Sequence, residues 1–262
     1  MSEIYNEFAR YYDCFMSHID YETEAGEIFR LLFETGNTQN PVLDCGAGSG
    51  GHLLHLLALD ANVDGLDFSE EMVELLKAKT VNFRERCFVY HGDMREMDRD
   101  ISNSIPNKEG QKKYALIYSL GETVHHLKAY EDLGKFFAAS CNMLEDGGLL
   151  VFSWKEPDYF DELMTYGDFY EEHGDNYLLW HIEEGADEAH YNLCYTAFVK
   201  AQGENEYRRL QEIHPSLVLE EVPLKKLAKA NGFSLREDYA ELCFTTSLKE
   251  EYKHITVLQK QQ

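Results

Sequence analysis

The sequence predicts an α/β fold, a doubly wound and mostly parallel sheet that carries an antiparallel β insertion. Short apolar strands alternate with helical stretches in residues 1–153, which indicates parallel strands covered on both faces. Residues 154–220 instead show strand-like alternation and many aromatic side chains, as an antiparallel insertion would. Helical spacing then returns, so residues 221–262 are expected to complete the core.

Size and charge narrow the class of protein. A chain of 262 residues suffices for one large domain with its own core. The net charge of -24 repels phosphate backbones and anionic lipids, so we expect neither a nucleic acid nor a membrane among the partners. The six cysteines are widely spaced, and we find neither a signal peptide nor a membrane span, so we expect reduced thiols and a cytoplasmic location.

The first elements lead to a glycine-rich turn. Apolar residues at helical spacing predict helices within residues 3–34. A short strand over 41–45 then runs into the turn, which opens a leucine-rich helix. The next strand, over 63–66, ends at Asp67, and Ser69 is placed to cap the helix that follows.

Three further strands precede the insertion. Apolar runs predict them over residues 87–90, 114–118 and 149–152. A loop over 102–113 and a helix over 133–144 separate the last two from their neighbours. Five strands and their helices thus form the first part of the core.

The insertion is expected to contain three strands. A continuous apolar run covers residues 177–182, residues 191–199 alternate, and residues 207–214 continue the pattern. Residues 203–205 suit a turn between the last two strands. The elements predicted after the insertion are a helix over residues 224–230 and strands within residues 233–239 and 254–258.

The glycine-rich turn is the strongest local signal. Gly46, Gly48 and Gly50 allow positive φ angles and a close approach of a ligand to the backbone. With Gly51 the turn also satisfies the dinucleotide fingerprint, a weak indication by itself. Asp44 would repel a pyrophosphate but attract an ammonium group, so it favours S-adenosyl-L-methionine (SAM) over a nicotinamide cofactor. A buried Asp44 that only caps the turn is the alternative.

Two more carboxylates follow neighbouring strands. Asp67 ends the second strand, where a carboxylate reaches ribose hydroxyls, although it could also cap the next helix. Asp93 could accept a hydrogen bond from an adenine amino group while Met94 packs on the ring, or it could be a solvated loop residue. Because Asp44, Asp67 and Asp93 end adjacent strands, we expect them to line one crevice.

In order, these motifs resemble those of class I SAM-dependent methyltransferases over about residues 40–153. The matching segments are Asp44-x-Gly46-x-Gly48-x-Gly50, Gly65-Leu66-Asp67-Phe68-Ser69-x-x-Met72, Gly92-Asp93-Met94 and Leu144-Glu145-Asp146-Gly147-Gly148. The resemblance implies SAM as cofactor and a Rossmann-like sheet of seven strands with the last antiparallel. The cofactor contacts that it implies are Tyr12, Asp44, Gly46, Gly48, Gly50, Asp67, Phe68, Met72, Asp93, Met94 and Ser119.

Two features resemble the small-molecule methyltransferases, including sugar N-methyltransferases. Residues 8–13 are similar to the N-terminal Tyr-Asp element that covers the cofactor in that group. The β insertion is similar to one that shapes an acceptor pocket or a dimer interface, so a homodimer is an expectation too. Residues 118–121 depart from the Asn/Asp-Pro-Pro-Tyr motif of enzymes that methylate amide or nucleobase nitrogens, which disfavours those acceptors.

Two polar clusters are candidates for the acceptor side. They are Glu122, His125 and His126 after the fourth strand, and Arg209, Glu212 and His214 in the insertion. We select His126 and His214 as catalytic candidates, either able to accept a proton near neutral pH, although the two histidines after the fourth strand also suit a helix start. Strand alternation places Glu212 and His214 on one face and Arg209 on the other. No spacing indicates a metal site, and we expect no catalytic metal.

The sequence therefore predicts transfer of the SAM methyl group to a nitrogen or oxygen of a small-molecule acceptor. An NAD-binding oxidoreductase is one alternative, favoured by the match at Gly46, Gly48 and Gly51 and opposed by Asp44. A non-catalytic SAM-binding domain is the other.

Overall fold

The structure is a computed structural model that describes Tyr5 and residues 7–104, 112–201, 206–236 and 253–261. Its helices are α1 (Tyr12–Phe15), α2 (Tyr21–Glu34), α3 (Gly51–Ala58), α4 (Glu70–Lys79), α5 (Met97–Ser104), α6 (Tyr130–Met143), α7 (Pro157–Tyr166) and α8 (Glu221–Ala230). Short 3-10 turns lie at Glu7–Tyr11, Val81–Phe83, Met94–Glu96 and Thr123–His126.

Two sheets organise the chain. The strands of the large sheet are β1 (Val42–Cys45), β2 (Val63–Asp67), β3 (Val89–His91), β4 (Tyr114–Ser119), β5 (Leu144–Lys155), β10 (Phe233–Leu235) and β11 (Lys253–Lys260). Those of the small sheet are β6 (Phe169–His173), β7 (Asn176–Glu184), β8 (His190–Lys200) and β9 (Tyr207–Leu217).

The large sheet has the order β10-β11-β5-β4-β1-β2-β3. Strands β1 to β5 run parallel, and β11 is antiparallel to both β5 and β10. This confirms the predicted fold class. Strands β1 and β4 are buried along their whole length because helices cover both faces, which explains their unbroken apolar runs. The strand order reverses between β1 and β4, and ligands of such sheets bind at the carboxyl ends there.

Side-chain caps explain where several helices begin. The Oγ of Ser69 accepts a hydrogen bond from the N–H of Met72 at 3.2 Å, which confirms the predicted cap of α4. The carboxylate of Asp20 caps α2 in the same way through the N–H of Thr23. The predicted N-terminal helical region is therefore divided, since α1 ends before a new cap starts α2.

The insertion is richer than predicted, with one helix and four strands. The additional helix, α7, starts at Pro157, whose fixed φ suits the first helical turn, and buries Phe160 and Leu163. The additional strand, β6, pairs antiparallel with β7. Both elements lie in the aromatic-rich part of the insertion. Apolar side chains are so dense there that neither helical spacing nor strand alternation is visible in the sequence. The predicted turn at 203–205 lies outside the described residues.

Some predicted boundaries shift. Helix α5 extends to Ser104 into the predicted loop, because Met97 and Ile101 share its buried face one turn apart. Strand β5 is much longer than the predicted residues 149–152, since β11 pairs with it as far as Lys155. Strand β10 ends at Leu235, and the rest of that predicted strand lies largely outside the described residues.

The described helices are short. The longest, α2 and α6, have 14 residues each. In the part of the chain that the structure describes, no helix is long and apolar enough to cross a membrane.

The small sheet closes over the N-terminal segment and the carboxyl end of β4. Phe8 and Phe15 pack in one apolar cluster with side chains of the inner face of the small sheet. Along β9 the side chains alternate, with Leu210 and His214 buried and Arg209 exposed, which confirms the predicted faces. The insertion therefore presents Glu212 and His214 toward the core.

Candidate cofactor and acceptor site

The glycine turn after β1 has the geometry of a ligand cradle. Gly46 and Gly48 adopt φ angles of +85° and +52°, which side chains other than glycine rarely adopt. A Cβ at Gly46 would also collide with the side chain of Thr123, whereas one at Gly48 would meet only Tyr12, at 3.9 Å. Gly50 precedes α3 as its N-cap. The turn is thus narrow at its base and open toward Tyr12.

Asp67 joins this turn to the start of α4. One carboxylate oxygen accepts the N–H of Gly48 at 2.7 Å, and the other accepts the N–H of Ser69 at 2.8 Å. Burial raises the pKa of Asp67, while these backbone hydrogen bonds oppose the shift. Because Ser69 caps α4, Asp67 does not do so. Each of its oxygens keeps a lone pair for a further donor, and its contact with ribose hydroxyls stays a prediction.

Asp44 is a deeply buried carboxylate beneath the turn. It is 3% exposed, and burial raises its pKa to about 7 against the opposing effects of His52 and the Tyr118 hydroxyl. The Nε2 atom of His52 lies 2.6 Å from the carboxylate of Glu24, a second buried acid. An ammonium group at the turn would offset the desolvation of Asp44, so this site suits the amino-acid part of SAM.

The affinity for SAM is expected to fall as the pH drops through 7, because an ammonium ligand favours the ionised form of Asp44. At about pH 6 roughly a tenth of the free protein would carry ionised Asp44, so Kd should be about tenfold higher than at pH 8. Calorimetry on the wild type and on Asp44→Asn measures this difference. The variant should bind weakly at both values without that dependence, and a pH-independent wild type would contradict the role of Asp44.

Asp44 also makes the stability of the ligand-free protein depend on pH. That stability falls as the pH rises, whereas the affinity for SAM increases. The raised pKa of Asp44 means that its protonated form favours folding. The contribution is complete below the unfolded pKa of about 4 and is lost as the pH rises through about 7. The increase in Tm that SAM causes should therefore be larger at pH 8 than at pH 6.

Hydrogen bonds of Asp13 hold helix α1 over the glycine turn. The carboxylate of Asp13 accepts hydrogen bonds from the Oγ of Ser49 and from Lys79, the latter at 2.5 Å. Lys79 also donates to the carbonyl of Ser49 at 3.0 Å. Tyr12 consequently lies beside Gly48, and burial and the charges of Asp67 and Glu122 raise its pKa. This position agrees with the covering role that the resemblance implies.

The carboxylate of Asp93 forms an ion pair with Arg95. Arg95 binds its carboxylate through Nε and Nη2 and contacts Asp132 through Nη1 at 2.9 Å. Burial would raise the pKa of Asp93, but the hydrogen bonds from Arg95 outweigh it and lower the pKa. An adenine amino group would share this carboxylate with Arg95, so the predicted contact has a competitor and stays a prediction.

The other predicted cofactor residues differ in exposure. Phe68 is 52% exposed and Met94 is half-buried, so both can meet a ligand at the end of the sheet. Met72 is 2% exposed and lies on the buried face of α4. Ser119 is fully buried at the carboxyl end of β4, and its Oγ has no hydrogen-bond partner among the described residues. Such an unsatisfied group at a strand end suits a ligand or a water molecule.

The two catalytic candidates, His126 and His214, meet although they come from distant parts of the chain. Their rings lie 5.6 Å apart. The Nε2 atom of His214 is 2.8 Å from Glu212, and that of His126 is 3.3 Å from the hydroxyl of Tyr5. The rings of Tyr5 and Tyr195 both contact His214, at 4.7 and 5.0 Å. We call these five residues the acceptor cluster.

Sequence reasoning missed the two tyrosines of this cluster. Tyr5 donates its N–H to Glu212 at 2.9 Å, and its carbonyl accepts a hydrogen bond from Ser69, so it connects the cofactor side to the insertion. No motif marks Tyr5. Tyr195 belongs to the alternating side chains of β8, but only its pairing with Glu212 on β9 shows that it faces His214.

The two neighbouring histidines have different roles. The Nδ1 atom of His125 donates to the carbonyl of Leu217 at 2.7 Å, and its Nε2 accepts the N–H of Lys155 at 3.0 Å. His125 thus connects the insertion to β5, and burial lowers its pKa to about 4. Burial and the neighbouring His214 lower the pKa of His126 to about 3. A neutral imidazole with that pKa is a weak base, which argues against proton acceptance by His126 near neutral pH.

Glu122 bounds the acceptor cluster on the side of β5. Its N–H donates to the Oγ of Ser153, and its carboxylate lies 3.8 Å from the Nζ of Lys155. Its charge contributes to the raised pKa values of both Tyr12 and Tyr195. The charge of Glu122 is therefore felt both by Tyr12 on the cofactor side and by Tyr195 on the acceptor side.

Fold and site together define a class. A mostly parallel seven-stranded sheet presents a glycine turn and acidic residues at its carboxyl ends, beneath a helical cover and an antiparallel insertion. The donor set suits an ammonium group and hydroxyls rather than a pyrophosphate. These are features of a Rossmann-like methyltransferase that uses SAM.

Comparisons with known proteins agree. Residues 42–148 match the family model described as a methyltransferase domain. The chain is 27% identical over 242 residues to the putative methyltransferase YqeM of Bacillus subtilis (strain 168), covering 92% of this chain and 91% of that protein. It is 28% identical over 148 residues to a dTDP-3-amino-3,4,6-trideoxy-alpha-D-glucopyranose N,N-dimethyltransferase of Streptomyces venezuelae, covering 56% of this chain and 55% of that protein.

Solved structures share the fold over nearly the whole chain. An S-adenosylmethionine-dependent methyltransferase from Clostridium acetobutylicum superposes with a TM-score of 0.76 at 19% identity, covering 98% of this chain and 99% of that one. Streptomyces venezuelae DesVI gives 0.70 at 20% identity, with 97% and 98% covered. Residues 42–148 thus carry a methyltransferase domain, which sets aside the alternative of an NAD-binding oxidoreductase.

Proposed function

We propose that the protein transfers a methyl group from SAM to an amine nitrogen of a small polar molecule held against the acceptor cluster. SAM supplies the electrophilic methyl group when bound. The residues of the chain align the amine, exclude water and hold the surrounding charges in place.

The observation that carries this proposal is that one of the two candidate histidines and the three buried phenols are poor bases. His126 has a pKa of about 3, and burial raises the pKa values of Tyr5, Tyr12 and Tyr195, so these phenols stay protonated. A hydroxyl acceptor needs a base that removes its proton at attack, whereas an amine needs only to arrive neutral. These four side chains therefore favour nitrogen over oxygen as the acceptor atom.

Charge supports the same choice. The negative charges of Asp67 and Glu212 help to raise the pKa of Tyr5, and that of Glu122 helps to raise the pKa values of Tyr12 and Tyr195. Methylation of a neutral amine places a positive charge on the acceptor nitrogen. Carboxylates around the reacting atoms stabilise that developing charge, and in a low-dielectric site the effect is large.

Relatives support a small amine acceptor. Their names include two dTDP-amino-sugar N,N-dimethyltransferases of Streptomyces and a glycine/sarcosine N-methyltransferase of Aphanothece halophytica. These matches cover 51–56% of this chain. The superposition with the DesVI structure covers 97% of this chain and so includes the insertion. We propose an amino sugar, free or nucleotide-linked, as the first acceptor class to examine.

Matched pairs of acceptors test the proposal. Each amino sugar, free and nucleotide-linked, is compared with the sugar that carries a hydroxyl at the same carbon, and methylated product is measured by mass spectrometry. We expect kcat/KM to be at least about tenfold higher for the amine of a pair, a difference of about 1.4 kcal/mol in activation free energy. Equal rates for amine and hydroxyl, or methylation of the hydroxyl alone, would contradict it.

Oligomeric state and location stay predictions. The outer face of the small sheet exposes Tyr170, Tyr207 and Ile213, which supports the proposed homodimer. Light scattering decides between one and two copies. The net charge of -24 supports the absence of nucleic-acid partners, and the five described cysteines, all free thiols, support a cytoplasmic location.

A further inference from the structure

The outer face of the small sheet brings three different metal-binding side chains to one point. His181 and Glu183 lie two residues apart on β7 and so share a face, and Cys194 is directly opposite His181 on β8. One ligand atom from each side chain lies within 4.8 Å of the other two. We infer that this face binds one divalent cation of the zinc type, in addition to the methyltransferase site.

The donor set decides the kind of cation. A thiolate and an imidazole favour zinc over magnesium or calcium, which prefer oxygen ligands alone. In a tetrahedral zinc site the bonds of about 2.0–2.3 Å put ligand atoms roughly 3.5 Å apart. The three side chains must therefore close by about 1 Å, a movement within reach of rotamer changes. Glu183 is exposed and the other two are half-buried, so each has room to move.

A second carboxylate lies close to the other side of the histidine ring. The Oδ1 atom of Asp168 is 3.5 Å from Nδ1 of His181, while Nε2 of the same ring lies 4.0 Å from Glu183. A carboxylate behind one ring nitrogen sets the tautomer and directs the other nitrogen to the metal, as in many zinc sites. Three protein ligands leave the fourth position to water.

Within the described residues, the ion pair recorded for Glu183 is with His181, at 4.0 Å. The carboxylate of Glu183 lies beside the thiol of Cys194. A cation between the two would neutralise the carboxylate and favour the thiolate. Because Cys194 lies between Leu193 and Tyr195, which point to the opposite face, the cation would sit behind the acceptor cluster and connect β7 to β8 without touching the reacting atoms.

Cobalt titration tests the site. The full chain, first freed of metals by a chelator, is titrated with Co²⁺ and then Zn²⁺ while absorption is recorded. We expect one Co²⁺ per chain with a thiolate-to-cobalt charge-transfer band, and displacement by Zn²⁺. Cys194→Ser should abolish the band and weaken Zn²⁺ at least about tenfold, and His181→Ala should weaken it similarly. Cys141→Ser changes another half-buried cysteine and should leave the charge-transfer band and the Zn²⁺ affinity unchanged.

Several outcomes would overturn the inference. A wild-type spectrum without the thiolate band excludes the site irrespective of any variant, and so does Zn²⁺ affinity that both substitutions leave unchanged. One cation per two chains with a doubled mass in light scattering would show a bridging site rather than a site within one chain. SAM binding by each variant reports that the core is still folded.

Discussion

Replacement of His214 by alanine is expected to lower kcat at least about tenfold while the affinity for SAM stays within about threefold. His214 is 2% exposed, and its Nε2 holds Glu212, which in turn accepts the N–H of Tyr5. The substitution leaves a buried carboxylate with fewer partners and a gap beside the acceptor. A displacement of the acceptor of about 1 Å is enough to lose much of the rate.

Two variants separate this role from a general loss of stability. Ile213→Ala changes the adjacent residue on the outer face, which is 56% exposed, and should leave kcat unchanged. His214→Gln keeps a hydrogen-bonding group for Glu212 and should recover part of the rate. Single-turnover rates, calorimetric SAM binding and Tm are measured for each. A His214→Ala enzyme with a wild-type rate on the true acceptor would remove this residue from the site.

Replacement of Asp67 by alanine is expected to weaken SAM binding by about 1–3 kcal/mol, or roughly 5-fold to 150-fold in Kd. The carboxylate holds the N–H groups of Gly48 and Ser69, so its loss loosens the glycine turn and removes the charged acceptor for ribose hydroxyls. Calorimetric titration with SAM and with its demethylated product should show the same loss, because both carry the ribose.

A milder change distinguishes the two contributions of this residue. Asp67→Asn keeps one oxygen for a backbone N–H but lacks the charge, so it should lie between wild type and Asp67→Ala. Glu71→Ala is a matched control, because that carboxylate contacts Ser69 from the exposed start of α4. Unchanged SAM affinity in Asp67→Ala would show that this carboxylate only orders the backbone of the free protein.

Local patterns account for the parts of the site that the sequence predicted. The turn at Gly46 and Gly48 follows from backbone geometry that few other residues adopt, so its pattern is visible in the residue types alone. The position of Asp67 follows from the end of a short strand, and the capping of α4 by Ser69 involves residues three apart. Each of these depends on neighbours in sequence, and each was found.

Non-local contacts decide the parts of the site that depend on the tertiary structure. The pairing of His126 with His214 depends on how the insertion folds back, which His125 secures through Leu217. The low pKa of His126 arises from burial and from a histidine far along the chain. Desolvation depends on everything that packs around a group, so no pattern near His126 could have indicated it.

By itself the sequence determined the α/β class, the doubly wound sheet, the glycine turn and the acidic strand ends, because backbone preferences and apolar periodicity act over a few residues. Only the tertiary structure decided that Tyr5 and Tyr195 join the acceptor cluster, and that His181 and Cys194 face each other across two strands. Strand register sets the contacts of Tyr195, His181 and Cys194, and register is decided by the packing of whole sheets rather than by any one segment.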